Sequence, residues 1–351
     1  MGETGLSPQE GVSSVDRRVF LTDSISTAAS LGLPAYLRPL SPSGETGAVG
    51  TPQLMELRAG LNSLFQLDDA YGGVDVLPLA VRHLRRIRRV INTATYPDTI
   101  GRQLQLLSGE TAEHCGWLCF DGGDGPGARR YWGEALTAAS VLRDTNLEIL
   151  VFSSMSLQAT YEGRLRDGLD LARAAQERAT RLRAPVLQSV IASREAWALS
   201  LMSDAPAARK RLTAAMRLME NAGRGRPSPG WTDFHGAAEL DYSQGKLLAE
   251  MGNHRAALSF LRAALAHQES SYGRNRALYG LTLVRSLIAA GEADEGAAYA
   301  LESLSHMNEV ESGRVIQRLA EVADDLSAVD AACAREAADG LTEYARAREA
   351  A

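Results

Sequence analysis

Only three cysteines, Cys115, Cys119 and Cys333, occur in the chain of 351 residues. They do not make a disulfide framework, and a reducing, cytoplasmic compartment is the simpler expectation. Aromatic residues are also scarce, at 6% beside a hydrophobic content of 45%. Alanine and leucine dominate the apolar set, which suits closely packed helices and argues against a sandwich or barrel. No apolar run reaches the roughly 18 residues needed to span a bilayer. No glycine-rich segment ends in Gly-Lys-Ser/Thr, so the sequence carries no phosphate loop. Six histidines are scattered, and none pairs visibly with a nucleophile. The net charge of −6 gives no reason to expect general affinity for nucleic acid. These absences argue against an enzyme, a cofactor, a metal site and a membrane partner.

What the sequence does contain is a repeat. Residues 236–268, GAAELDYSQGKLLAEMGNHRAALSFLRAALAHQ, read as two amphipathic helices meeting at Gly252. Gly245 stands seven residues before that turn, Ala257 five after, Leu261 nine after and Ala264 twelve after. Small residues let the two helices approach, and glycine can end the first helix in a left-handed conformation. The same register recurs around Gly123 (Gly116, Ala128, Trp132, Ala135) and Gly163 (Ser156, Gly168, Ala172, Ala175). It recurs again around Ser203 (Ala196, Ala208, Leu212, Ala215) and Gly291 (Val284, Gly296, Ala300, Ser303). The turns are spaced by 40, 40, 49 and 39 residues. This is the pattern of a tetratricopeptide (TPR) repeat, stretched beyond its usual length of roughly 34 residues. The expected fold is therefore all-α, a TPR-like α-solenoid of antiparallel helix hairpins. The extra residues of the long step fall in Asn221–Asp233, where Pro227, Pro229 and several glycines mark a loop.

The remaining segments arrange themselves around that array. Residues 1–52 read as a polar, disordered start, a short helix over 15–32 and a Pro/Ser linker over 38–52. The helix contains Arg17-Arg18-Val19-Phe20-Leu21, the core of a twin-arginine export signal. Asp23 interrupts the would-be apolar region and no A-x-A site follows, so docking on the first repeat is the expectation and export the alternative. The repeat domain spans 53–351: a divergent capping repeat at 54–92, repeats from about 101 to 308, and a C-terminal cap at 312–349. Arg82, Arg85, Arg86, Arg88 and Arg89 give the capping repeat a basic face, read as a solvated surface with acidic neighbours in space.

Two clusters look chemical and are read as structural. Asp121-Gly122-Gly123-Asp124-Gly125-Pro126-Gly127 lies on a repeat turn, lacks a lysine and lacks the twelfth-position acid of a calcium loop. His114 and Cys115 are adjacent and point to different sides of a helix, while Cys115 and Cys119 share the face that packs inside the repeat. What remains is a surface. The register puts Glu113, Trp117, Phe120, Gln158, Arg194, Trp197, Tyr242, Lys246 and Arg285 on the first helices, facing the concave side. Aromatics interleaved with charges can anchor a peptide or another extended ligand.

Four stretches carry a family resemblance: DAYGG (69–73), LPLAVRHLRRIRRVI (77–91), GWLCFDGGDGPGARRYWGEAL (116–136) and SLQATYEGRLRDGLDLARAAQERA (156–179). They resemble the TPR sensor region of actinobacterial XRE-type helix-turn-helix transcriptional regulators, in which an RRxFL segment often stands in the linker. Only 14 polar residues precede the helix that carries that segment here, too few for a helix-turn-helix domain, so direct sequence-specific DNA binding is not expected. The resemblance implies a non-enzymatic regulatory module. It would bind a peptide, a protein segment or a small-molecule effector and act in transcription through a separate DNA-binding protein or through a DNA-binding domain missing upstream. A structural scaffold that dimerises through its capping helices is the other reading.

Overall fold

The computed structural model describes residues 48–224, 227–269, 272–307 and 309–349. The expected N-terminal segments up to residue 47, including the RRxFL helix, lie outside the described residues. Fourteen α-helices follow one another among the described residues, and no sheet forms. They pair into seven antiparallel hairpins. These are α1 (Thr51–Tyr71) with α2 (Gly73–Thr93), α3 (Asp98–Asp121) with α4 (Gly125–Leu142), and α5 (Thr145–Tyr161) with α6 (Leu165–Leu182). Next come α7 (Pro185–Leu201) with α8 (Ala205–Glu220), α9 (Ala237–Glu250) with α10 (His254–His267), and α11 (Gly273–Ala290) with α12 (Ala293–His306). The last pair, α13 (Gly313–Ser327) with α14 (Ala332–Glu349), covers the end of the stack. Helix α1 begins at Thr51 with Pro52 in its first turn, so the expected linker ends slightly earlier than its proline suggested.

The five expected turns all hold a residue in the left-handed region. Gly123, Gly163, Gly252 and Gly291 have φ between 73° and 88°, and Ser203 has φ 63°. Inside each hairpin, the residue seven before the turn faces the residues of the returning helix, and volumes compensate. Gly116 is matched by Trp132 and Gly245 by Leu261, so close that a Cβ on either glycine would lie 2.5 Å and 2.7 Å from those side chains. Where the seventh-position residue is larger, Ser156 or Val284, the ninth position shrinks to Ala172 or Ala300, and all four are buried. Each of these hairpins thus packs its own complement of small and large residues, and the ninth-position residues fall in five different buried clusters.

The solenoid then closes on itself. The start of α11 reaches the end of α1, where the Arg274 guanidinium pairs with Asp68 and lies 3.8 Å from Asp69. The segment before α13 meets the turn between α1 and α2: the Glu311 N–H donates to the Tyr71 carbonyl at 2.7 Å, and the Val74 N–H donates to the Glu311 carbonyl at 3.3 Å. Asp121, fully buried at the end of α3, accepts from Arg314 at 2.7 Å, from Ser312 at 3.0 Å and from the Gly73 N–H at 3.0 Å. Burial alone would raise the Asp121 carboxyl, but Arg274 and Arg314 outweigh it and hold it below the usual carboxylate range. The arginine face of α2 meets acids, with Arg86 on Glu56 at 2.9 Å and Arg88 on Glu134. No helix among the described residues is long and apolar enough to cross a membrane.

Candidate functional site

Closure turns the concave side into an interior cavity of about 680 Å³. Its wall is built from the first helices of successive hairpins: Glu113 and Trp117 on α3, Tyr161 on α5, Arg194 and Trp197 on α7, and Tyr242 and Lys246 on α9. Helix α11 adds Arg274 and Tyr279, and α13 adds Arg314. The aromatic rings form a connected path. Trp117 meets Phe120 edge-on at 5.8 Å, Phe120 meets Tyr161 at 5.6 Å, and Tyr161 meets Trp197 at 4.7 Å. On the far side Tyr242 stacks on Tyr279 with centroids 4.0 Å apart. Cations sit over this path, Lys246 Nζ at 3.2 Å from the Trp197 centroid and the Arg314 guanidinium at 5.1 Å from Trp117.

Six of the nine expected groove residues line the cavity together: Glu113, Trp117, Arg194, Trp197, Tyr242 and Lys246. Three stand elsewhere. Phe120 is buried behind the wall, between Trp117, Trp132 and Tyr161. Gln158 is buried and donates to the Gly125 carbonyl at 3.1 Å, tying α5 to the preceding hairpin. Arg285 points to the cap, bonded to Glu321 at 2.9 Å and Asp325 at 2.6 Å on α13, so it is a repeat-to-cap link and not a groove cation. Cys115 and Cys119 lie in the core, where burial pushes their thiols up to about 12 and about 11.

The cavity also holds residues that the repeat register did not mark. The long loop before α9 folds inward, and Trp231, Phe234 and His235 line the cavity. Trp231 packs against the cluster of Ile149 and Leu187. His235 Nε2 lies 2.8 Å from Ser189 Oγ. Because that hydroxyl already donates to the Ala215 carbonyl at 2.8 Å, the imidazole carries its proton on Nε2 and donates it. Burial, reinforced by Arg194, pulls His235 down to about 3, so the ring is neutral. Trp231 in the segment that lengthens the register, with Phe234 and His235 directly after it, was the available signal.

The wall is electrostatically uneven. Burial raises Glu113 to about 7 although Ser154 donates to it at 2.7 Å, and burial likewise raises Asp69 to about 7 against the pull of Arg274. Burial, with Arg318 adding to it, pushes the Lys246 ammonium well below its ordinary value of 10.5. Several buried polar atoms of lining residues find no partner among the described residues: Ser193 Oγ, Arg194 Nε, Trp197 Nε1, His114 Nε2 and Arg274 Nε. Each of these atoms is itself buried, although its residue lines the cavity.

No family model and no curated protein matches the chain. Among solved structures, a Rap protein complexed with Competence and Sporulation Factor is similar in fold, with a TM-score of 0.55 and 14% identity over 84% of this chain and 78% of that one. A Rap conjugation gene regulator of the plasmid pLS20, solved in complex with the Phr* peptide, aligns with a TM-score of 0.48 and 10% identity over 86% of this chain and 97% of that one. The likeness is one of fold: an all-helical, TPR-like solenoid.

Proposed function

We propose that this chain is a regulatory module that receives a short peptide, or an effector of similar size, inside its closed solenoid. The observation that carries the reading is convergence: three of the four tryptophans, Trp117, Trp197 and Trp231, line one cavity together with Arg194 and Lys246. A space of about 680 Å³ falls within the roughly 300–1,000 Å³ of small-ligand sites, so the ligand is compact and not a folded domain. A short extended peptide offers backbone donors and acceptors for the polar lining and side chains for the aromatic wall. A solved protein of the same fold, complexed with Competence and Sporulation Factor, supports the reading. The resemblance to sensor regions of XRE-type regulators supports a role in transcriptional regulation. The test is to equilibrate the full chain with a randomised library of short peptides and identify what co-elutes with it by mass spectrometry. Selected sequences should share a pattern and bind when resynthesised; a folded chain that retains no peptide would contradict the proposal.

A further inference from the structure

We infer that the ligand carries an anionic group, seated on Arg194 and Lys246 beside the face of Trp197. This rests on the cavity being a ligand site and is independent of whether the ligand is a peptide.

Five cations line the cavity, and three of them are neutralised within the wall. Arg58 pairs with Glu110 at 2.8 Å, Arg314 with Asp121 at 2.7 Å, and Arg274 with Asp68. Arg194 and Lys246 are different: no hydrogen bond or ion pair reaches either from the described residues, and Arg194 Nε is buried without a partner. Lys246 is only 9% exposed. They come from the first helices of neighbouring hairpins, α7 and α9, and each feels the charges around the same space. The acids near them do not close the circuit. The Glu239 carboxylate accepts the Tyr279 hydroxyl, and neither it nor Glu250 makes an ion pair with Arg194 or Lys246.

An uncompensated buried charge is costly, and folds that need only stability pair it or replace it. Here aromatic faces stand where a counter-ion would. Trp197, Tyr161 and Tyr242 present their rings to Lys246 Nζ at 3.2, 5.3 and 5.9 Å, which stabilises an ammonium without using its N–H donors. The Arg194 guanidinium adds a planar fork suited to two oxygens. A carboxylate or a phosphate monoester meets both demands. Arg318, Arg194, Glu250 and Glu239 are the charged groups around Lys246, and an entering anion shifts that balance toward the protonated amine.

The full chain should be titrated with the fluorescent probe 1-anilinonaphthalene-8-sulfonate and with its uncharged analogue N-phenyl-1-naphthylamine. The sulfonate should bind at least about tenfold more tightly, and Lys246→Met or Arg194→Met should each remove at least about that factor for the sulfonate alone. Lys246→Arg should restore it, and Lys246→Met should melt no lower than the parent, because it removes an unpaired buried charge. Displacement by hippurate identifies a carboxylate-bearing ligand, and displacement by phenyl phosphate a phosphate monoester; either supports the subsite. Equal binding of the two probes, or variants that leave the sulfonate unaffected, would overturn it. If library peptides bind while the probes behave alike, the peptide reading stands and the anion subsite falls. If the sulfonate behaves as described and no peptide binds, the subsite stands and the peptide reading falls.

Discussion

Glu113 shows how much a single buried side chain on this wall can change. Its carboxyl is raised from 4.5 to about 7 by burial, so the folded chain holds that proton up to about pH 7 while the unfolded chain releases it near 4.5. The stabilising contribution is complete below pH 4.5 and is lost as the pH rises through 7. Glu113→Gln keeps an acceptor for Ser154 and abolishes the titration. Relative to the parent, that variant should gain roughly 3 kcal/mol between pH 4.5 and pH 8, read from denaturant melts at each pH. Ser203 makes a simpler case: it is exposed and sits at φ 63°, where the four equivalent turns carry glycine. Ser203→Gly should stabilise the fold by up to about 1 kcal/mol and raise the melting temperature. At this scale the sequence placed residues on the correct helix but could not tell an inward side chain from one consumed by a neighbour. Phe120, Gln158 and Arg285 share the register of the lining residues, yet their partners Tyr161, Gly125 and Asp325 come from other hairpins.

At the scale of elements, the hairpin register was legible because each turn needs a left-handed residue and each close approach needs a missing side chain. Glycines that serve packing and glycines that serve nothing should respond oppositely to one methyl group. Gly116→Ala puts a Cβ 2.5 Å from the Trp132 ring and should cost about 1–3 kcal/mol. Gly133→Ala, on the exposed face of α4 with nothing within 4 Å, should stabilise by about 1 kcal/mol through helix propensity. Paired chemical denaturation curves check both signs. The segment before α9 was legible as a loop but not as part of the cavity. Its inward fold depends on Trp231 finding Ile149 and Leu187, and on His235 finding Ser189, contacts between segments far apart in sequence.

Closure belongs to the whole molecule, and nothing local announced it. Asp121 sits in a turn-like DGGDGPG run, and its partners Ser312 and Arg314 lie 191 and 193 residues away. Asp121→Ala leaves Arg314 buried without its counter-ion and should cost about 3–5 kcal/mol. If the surviving folded fraction is also less compact, small-angle scattering should show a larger radius of gyration than the parent. An unchanged radius and an unchanged melt would mean that the ring is held by the α1–α11 contacts and the Glu311 backbone bonds without Asp121.

Whether ligand enters the closed interior is decided by one titration series. A library-selected peptide should be titrated calorimetrically into the parent, into Trp197→Ala on the cavity wall, and into Arg285→Ala on the repeat-to-cap link. Each variant should be measured at a temperature where it is folded. Losing a buried aromatic anchor typically costs about 2 kcal/mol or more, so Trp197→Ala should weaken binding at least tenfold. Arg285→Ala should leave the affinity within about a factor of two, since it neither lines the cavity nor holds a lining residue. Full affinity in Trp197→Ala with loss in Arg285→Ala would put the ligand outside the ring and contradict the account.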